Sequence, residues 1–402
     1  MTDDEDVYVK PPVWWFDPIP DGHVFRLKKA IYGTKQAARR WHTKISTWME
    51  DNGYPAVNSE KTIFMKRVGD DFIIHGLFVD DIKSVPTKKS LLDEFLVLYS
   101  RDFEITGGKP MDRFLGLAVE QSKKAISLHL DQYVAETLDE YQKYVDKSLR
   151  PKTTPMQPGN VLHPDDSPLV PDKNRQAIYR SMVARLQYAA TWVRFDISFT
   201  VAQLARFCAS AGPSHWAALH HVMEYLAKKP SLKLTYHKQM KHRPGLDGFC
   251  DADWGNSSSR RSTTGLLFRY DTTPIFWRSK LQKSISLSTA EAEYYAASHG
   301  AVEAIYLRRL LDNMGFKQKE FTPLYEDNNA CIEWANNVIG GRERAKHIDL
   351  RKHFAHEKIQ EGHIRMIRVD TSDQLADVFT KSLQPPLFDH GMSRILGSAW
   401  SS

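Results

Sequence analysis

The chain has 402 residues, of which 42% are hydrophobic and 11% aromatic, and it carries a formal net charge of +6. This length predicts two or three domains, and this composition excludes a mostly disordered or fibrous protein. No run approaches the roughly 18 consecutive apolar residues of a membrane span, and three widely spaced cysteines exclude a disulfide framework. We therefore expect an intracellular protein with reduced cysteines and no membrane segment.

The positive charge is concentrated in two blocks. Seven basic residues and no acidic one lie between positions 22 and 49, and six lie between positions 228 and 243. Such blocks can bind the phosphates of nucleic acid without sequence preference, or they can form solvated faces. Charge alone leaves both interpretations open.

The first half of the chain predicts helices and one meander of strands. Apolar periodicity favours helices around 30–48 and 91–99, and strands over 62–68, 72–79 and 82–85. Asp80 and Asp81 lie at the second bend of this meander. Adjacent carboxylates at a tight turn suit metal chelation, although an acidic pair at a bend is also ordinary turn chemistry.

Six prolines between positions 151 and 175 predict a long connector without regular structure. Helices are expected over 177–211 and 215–229, and the Pro-Gly pair at 244–245 marks a boundary. The pattern then predicts strands over 246–254, 262–270 and 274–287, a long helix over 289–313, strands over 323–326 and 364–369, and a last helix. Three strands followed by alternating helices and strands indicate a mixed α/β domain of about 150 residues.

Four carboxylates of this last domain are candidate functional residues. Asp251 lies in an apolar strand, Glu293 near the start of the long helix, Asp327 after a short strand, and Asp377 near the start of the last helix. Each has a structural alternative, such as a solvated strand residue, a helix N-cap or a first-turn acid. For Glu293 that alternative is weaker, because a capping box of Ser288 and Glu291 already accounts for the helix start.

The order of these four carboxylates strongly resembles ribonuclease H, a family that cleaves the RNA strand of an RNA–DNA hybrid. Five segments narrow the resemblance to the ribonuclease H domain of copia-type retrotransposon Pol polyproteins: CDADWG (250–255), RRSTTG (260–265), STAEAEY (288–294), KHIDLR (346–351) and QLADVFTK (374–381). The resemblance implies two Mg²⁺ ions, or Mn²⁺, held by the four carboxylates. One ion would activate the attacking water and the other would stabilise the leaving oxygen.

Asp349, in the fourth segment, competes with Asp377 for the fourth ligand position. The resemblance favours Asp377, because the fold places that ligand after the last strand and at the start of the last helix. Asp349 precedes this strand, in a predicted helix with His347 and His353. The histidines would suit zinc, but a solvated basic helix is favoured since no cysteine accompanies them.

The resemblance continues upstream and covers nearly the whole chain. The segment RLKKAIYGTKQAAR (26–39), followed by Trp41, is similar to the palm motif that contacts template and nucleotide in copia-type reverse transcriptases. FVDD (78–81) resembles the catalytic hairpin of the polymerase, in which Asp80 and Asp81 would bind metal ions. The residues implied in nucleic-acid binding are Lys28, Lys29, Lys35, Gln36, Arg39, Arg40, Arg260 and Arg261.

The predicted organisation is the C-terminal part of a polymerase palm (1–105), a helical thumb and connection (106–244) and a ribonuclease H-like mixed-sheet domain (246–395), an α+β fold. The resemblance implies an upstream palm aspartate and fingers, and no segment of this sequence resembles them. We therefore expect a Pol fragment with hybrid cleavage and without DNA synthesis. The alternative is an inactive nucleic-acid-binding remnant. Expected partners are RNA–DNA hybrid, single-stranded nucleic acid and other Pol or Gag products, in cytoplasmic virus-like particles or the nucleus.

Overall fold

The computed structural model describes the chain except for residues 1–5, 13, 18, 21, 32, 35, 58–59, 109, 169, 171, 239–244, 338–353 and 401–402. The chain forms two compact units, Met1–Lys109 and Pro110–Ser402. Both units combine helices with β-sheets, which confirms the predicted mixed class. None of the helices in the described residues combines the length and the apolar character needed to cross a membrane.

The described residues of the first unit form two antiparallel sheets and two helices. In chain order its elements are β1 (Tyr8–Val9), β2 (Phe25–Arg26), α1 (Ala37–Asp51), β3 (Ala56–Val57), β4 (Glu60–Val68), β5 (Asp71–Phe78), β6 (Asp81–Pro86) and α2 (Lys89–Tyr99). Strand β1 pairs with β2, and the second sheet has the order β3-β4-β5-β6. The predicted meander is therefore confirmed, with β3 as an additional edge strand.

The core of the first unit lies between the second sheet and the two helices. Ile45 and Met49 of α1 and Phe95 of α2 are buried against Phe64 and other apolar residues of the strands. His75 of β5 is also buried, with its ring centroid 4.0 Å from that of Phe95 and its Nδ1 2.8 Å from Ser84 Oγ. Burial lowers the pKa of His75 to about 4, because the apolar surroundings disfavour its charged form.

The second unit contains two further sheets and most of the helices. Its elements are β7 (Arg113–Phe114), β8 (Leu117–Gln121), β9 (Ala125–His129), α3 (Asp131–Gln142), α4 (Lys173–Trp192), α5 (Ser198–Ala205), α6 (Pro213–Lys228), β10 (Lys233–His237), β11 (Leu246–Asp253), β12 (Thr263–Tyr270), β13 (Thr273–Leu281), α7 (Thr289–Asn313), β14 (Thr322–Glu326), α8 (Asn329–Asn336), α9 (described over 354–360), β15 (Ile364–Arg368) and α10 (Pro385–Leu396). The sheet orders are β10-β9-β8-β7 and β13-β12-β11-β14-β15.

Both faces of the five-stranded sheet are covered. Small residues of α7, among them Ala292 and Ala296, are fully buried against strand residues such as Leu266 on one face. On the other face a 3₁₀ segment, Leu375–Phe379, packs against β12. The contact is close, because a Cβ at Gly265 of β12 would lie 2.7 Å from the Ala376 carbonyl oxygen. This sheet therefore holds α7 and the 3₁₀ segment in fixed positions.

Two expectations about local structure need correction or refinement. Asp377 was expected near the start of the last helix, but it lies in the 3₁₀ segment, and α10 begins only at Pro385. A helix through 381–389 would lose two backbone hydrogen bonds at Pro385 and Pro386, whereas proline is favourable in a first helical turn. The described part of the proline-rich segment has one 3₁₀ turn before α4, yet Met156 and Leu162 within it are buried, so it packs on the core of the second unit.

Candidate active site

Three carboxylates from three elements converge at one edge of the five-stranded sheet. One oxygen each of Asp251, Glu293 and Asp327 lies within 4.8 Å of the other two, and the described residues contain no other such group of three histidine, cysteine or acidic side chains. Asp251 belongs to β11 and Asp327 follows β14, and these strands are parallel neighbours. Because their carboxyl ends meet at the same edge, residues 76 positions apart become neighbours in space.

Hydrogen bonds fix Asp251 and Glu293, which are 3% and 5% exposed. The Thr380 hydroxyl donates to Asp251 Oδ2, and the Ala252 backbone N–H donates to Glu293 Oε2 at 2.7 Å. Burial, together with the nearby carboxylates, raises the pKa of Glu293 to about 11, and burial also raises the pKa of Asp251. Ionisation of the whole cluster therefore lacks compensating positive charge and solvent, which is the electrostatic condition for a cation site.

Asp327 is not the N-cap of α8. That position belongs to Asn328, whose side chain accepts a hydrogen bond from the Cys331 N–H at 3.1 Å. Asp327 Oδ2 instead accepts from the Thr371 hydroxyl at 2.8 Å. Its carboxylate is therefore available at the sheet edge, held by a side chain of another segment.

The start of α7, before Glu293, has the predicted capping residues, with one difference in their hydrogen bonds. Ser288 Oγ accepts from the Glu291 N–H at 3.2 Å, but Glu291 Oε2 accepts from the N–H of Leu287 rather than that of Ser288. Both capping side chains are thus occupied with the backbone. Glu293, two residues further on, points into the carboxylate cluster instead.

Asp377 lies beside Asp251 rather than within the group of three. Its Oδ1 is 2.8 Å from the Lys381 ammonium. Burial and the neighbouring Asp251 raise the pKa of Asp377 to about 8, and Lys381 opposes this shift. Asp349, the alternative fourth ligand, lies outside the described residues, so the choice between the two remains a prediction.

Sequence reasoning missed two charged residues of this site. Glu326 is fully buried, and it accepts hydrogen bonds from the Asn328 N–H at 3.0 Å and the Cys250 thiol at 3.4 Å. Burial raises its pKa to about 8. Two sequence signals could have identified these residues. Glu326 lies two positions after buried Leu324 on the same strand, and Lys381 lies four positions after Asp377.

The acidic pair of the first unit has a different environment. Asp80 and Asp81 are exposed at the turn between β5 and β6, where Val79 has a positive φ of 53°. The Trp41 indole donates to the Val79 carbonyl oxygen at 2.6 Å, so α1 supports the turn. In the described part of the first unit, no third acid joins this pair to form a group like that of the second unit.

The predicted nucleic-acid-binding residues lie on both units. In the first unit Lys28, Lys29 and Arg39 are exposed and Arg40 is half-buried, while Gln36 precedes α1 and Lys35 lies outside the described residues. In the second unit Arg260 is exposed in the loop between β11 and β12, and the neighbouring Arg261 donates to Ser259 Oγ at 3.0 Å. The loop begins at the end of the strand that carries Asp251.

Comparison with known proteins identifies the family. Residues 2–158 match the family described as reverse transcriptase (RNA-dependent DNA polymerase). The chain is 32% identical over 386 residues to the retrovirus-related Pol polyprotein from transposon TNT 1-94 of Nicotiana tabacum, a match that covers 94% of this chain and 28% of that protein. It is also 32% identical over 395 residues to the corresponding polyprotein from transposon RE2 of Arabidopsis thaliana, covering 98% of this chain and 26% of that protein. The chain belongs to the copia-type Pol family.

This Pol segment spans about a quarter of the length of the polyproteins it matches. A solved structure, the foamy viral protease-reverse transcriptase in complex with RNA/DNA hybrid, aligns with 86% of the segment and 39% of that chain. The alignment has a TM-score of 0.44 and 11% sequence identity.

Proposed function

We propose that the second unit of this Pol segment is a metal-dependent nuclease that cleaves the RNA strand of RNA–DNA hybrids. The observation that carries the proposal is the convergence of Asp251, Glu293 and Asp327 within 4.8 Å, with Asp377 beside them. The five sequence segments that resemble copia-type ribonuclease H support the same assignment. The family of the whole chain, reverse transcriptase-type Pol, is consistent with a hybrid substrate.

The donor set fits a hard divalent cation. All the candidate ligands are carboxylate oxygens, the donors that Mg²⁺ and Mn²⁺ prefer. Burial, and then repulsion from the neighbouring carboxylates, raises the pKa of Glu293, and a bound cation would favour its ionised form. When bound, two such ions supply an activated water and stabilise the leaving oxygen.

The residues of the chain contribute by holding the ligands in place. Thr380 orients Asp251, the Ala252 N–H orients Glu293, and Thr371 orients Asp327. Lys381 holds Asp377 at the margin of the cluster. Such supporting contacts fix ligand geometry, and their loss typically costs about 10- to 100-fold in metal affinity or activity.

Cleavage of a labelled RNA–DNA hybrid by the 402-residue chain tests the proposal. We expect Mg²⁺-dependent shortening of the RNA strand, no cleavage of the DNA strand, and no cleavage in the presence of EDTA. A DNA duplex of the same sequence is the control substrate. Binding of the hybrid without cleavage in Mg²⁺ or Mn²⁺ would instead support the alternative, an inactive nucleic-acid-binding protein.

A further inference from the structure

A second feature of the second unit is a cavity of about 500 Å³ that contains none of the carboxylates described above. Three separate segments form its wall: the proline-rich segment, the end of α6, and α10 with the residues that follow it. Its charged and aromatic lining residues are Lys152, Lys228, Lys229, Asp389, His390 and Trp400. Residues distant in sequence are thus assembled around one concave surface.

Backbone contacts hold Lys152 at this cavity. The Arg150 N–H donates to Glu224 Oε1 at 3.0 Å, and His221 Nε2 donates to the Thr154 carbonyl oxygen at 3.0 Å. Glu224 and His221 both belong to α6. Because the chain is anchored to α6 on both sides of Lys152, this lysine is positioned by the fold rather than by a loose loop.

Lys229 and Trp400 form a rigid part of the wall. The Lys229 ammonium donates to the Trp400 carbonyl oxygen at 2.7 Å and lies 3.9 Å from the centroid of the indole ring. The Trp400 indole N–H donates to Asp389 Oδ1 at 3.3 Å. The single carboxylate of the lining therefore already accepts a hydrogen bond from the cavity wall.

The cavity has an excess of positive charge. Three lysines face one aspartate, and no ion pair within the described residues joins Lys152 or Lys228 to a carboxylate. Pro386 of the first turn of α10 also lines the cavity, which places the positive end of a twelve-residue helix there. An anion bound in this cavity would lie among three lysines and a single carboxylate.

We propose that this cavity binds phosphate groups of a nucleic-acid strand outside the metal centre. The proposal rests on the proposed function for the identity of the strand. Neighbouring residues of the chain link this cavity to the margin of the carboxylate cluster: Thr153 lines the cavity, and Thr154 lines a smaller one together with Lys381, the partner of Asp377. Lys381 and Pro386 are five residues apart, so their Cα atoms are separated by at most about 18 Å. This distance corresponds to about five nucleotides of one strand at about 3.4 Å each.

A second basic cavity of the same unit provides a control. It has a volume of about 180 Å³ and is lined by Arg308, Arg309, Lys317, Lys358 and Asp312, among others. Arg308 donates to the Glu320 and Gln318 carbonyl oxygens, and Lys358 pairs with Glu361. Arg308 lies fifteen residues beyond Glu293 on α7, about 22 Å along the helix axis. Arg308 and Lys358 thus already have partners within the chain, and Arg309 and Lys317 supply a matched pair of basic residues for a control variant.

The test is the salt dependence of hybrid binding, measured by fluorescence anisotropy in EDTA so that no cleavage occurs. We expect the double variant Lys152→Gln/Lys228→Gln to reduce the slope of log affinity against log salt by about 1.4 to 1.8, since each phosphate contact contributes about 0.7 to 0.9. The matched variant Arg309→Gln/Lys317→Gln should leave the slope unchanged. Circular dichroism melting of each variant verifies that it is folded.

An unchanged slope in the Lys152→Gln/Lys228→Gln variant would overturn the inference, and so would the absence of hybrid binding by the wild-type chain. Failure of the wild-type chain to cleave the hybrid in Mg²⁺ would refute the proposed function, while a reduced slope would still support the phosphate site. Mass-spectrometric mapping of lysine acylation separates the sources of phosphate. We expect hybrid to protect Lys228, and equal protection by inorganic phosphate at the same phosphate concentration would exclude a strand-binding role.

Discussion

The carboxylates of Asp80 and Asp81 extend into solvent from an antiparallel hairpin, whereas Asp251 and Glu293 are buried and meet Asp327 from three different elements. Solvent screens the first pair, so two adjacent negative charges cost little there. In the second unit, by contrast, buried carboxylates are held close together, where solvent screens them little. The two regions therefore differ in how many carboxylates converge and in how strongly solvent screens their charge, which is what the predictions below test.

The largest expected effect follows from removing one ligand of the buried cluster. Asp251→Asn, Glu293→Gln or Asp327→Asn should each lower the rate of hybrid cleavage by on the order of 1000-fold, because each removes a negative ligand with little change in volume. Initial rates with a labelled hybrid measure the loss. Asp80→Asn is the matched control and should retain the wild-type rate, whereas wild-type cleavage by any of the three variants would remove that residue from the site.

The two units should also differ in how their stability depends on pH, and in the first unit this dependence comes from His75. Its folded pKa of about 4 lies below the ordinary value of 6.5, so its neutral form favours folding. This contribution is present above about pH 6.5 and is lost as pH falls toward 4, at a cost of about 3 kcal/mol. Hydrogen exchange of the β5 amides in the full chain measures the change. His75→Gln should reduce the pH dependence, and an equal dependence in the variant would contradict this account.

The choice of fourth ligand gives the next largest effect. We expect Asp377→Asn to lower hybrid cleavage by about 10- to 100-fold, less than the loss of a converging residue, because Asp377 adjoins Asp251 but lies outside the group of three. Asp349→Asn should change the rate far less. The same hybrid assay compares the two variants, and the reverse order of damage would transfer the assignment to Asp349.

Sequence patterns predicted much of the fold, because strands β4 to β6 and β11 to β15 alternate with turns and helices at recognisable periods. They placed Asp377 near the start of the last helix, although Pro385 and Pro386 already mark a later start, and no local pattern revealed that the 3₁₀ segment packs against Gly265 of a distant strand. The convergence of the carboxylates was implied only by the order of motifs, because residues 251, 293 and 327 meet through strand pairing. Glu326 was missed because its burial depends on packing between distant segments, whereas Lys381 was missed although its four-residue spacing from Asp377 is a local signal.

In the absence of metal ions the second unit should respond to pH in the opposite direction from the first. The folded pKa of Glu293, about 11, lies above its ordinary value of 4.5, so its protonated form favours folding. This contribution is present below about pH 4.5 and is lost as pH rises toward 11. Relative to wild type in EDTA, the free energy of unfolding of Glu293→Gln should be larger at pH 8 than at pH 5, by about 1.4 kcal/mol for each pH unit over which wild-type Glu293 is protonated in the folded state alone. Thermal melting of both proteins at the two pH values measures this difference in stability. A difference that does not change with pH would show that the folded pKa of Glu293 is not raised.

The smallest expected effect concerns DNA synthesis at the exposed acidic pair of the first unit. Polymerisation requires two cations between the primer end and the nucleotide triphosphate, held by several carboxylates in a fixed arrangement. Asp80 and Asp81 lie at an exposed turn, and within the described part of the first unit no third acid joins them. Misplacement of reacting groups by about 1 Å can already cost on the order of 100-fold in rate.

We therefore expect the 402-residue chain to show no extension of a primer on an RNA template in Mg²⁺ or Mn²⁺. Extension by the wild-type chain that disappears in Asp80→Asn would show that the hairpin does assemble a metal site, and would remove the contrast between the two acidic regions.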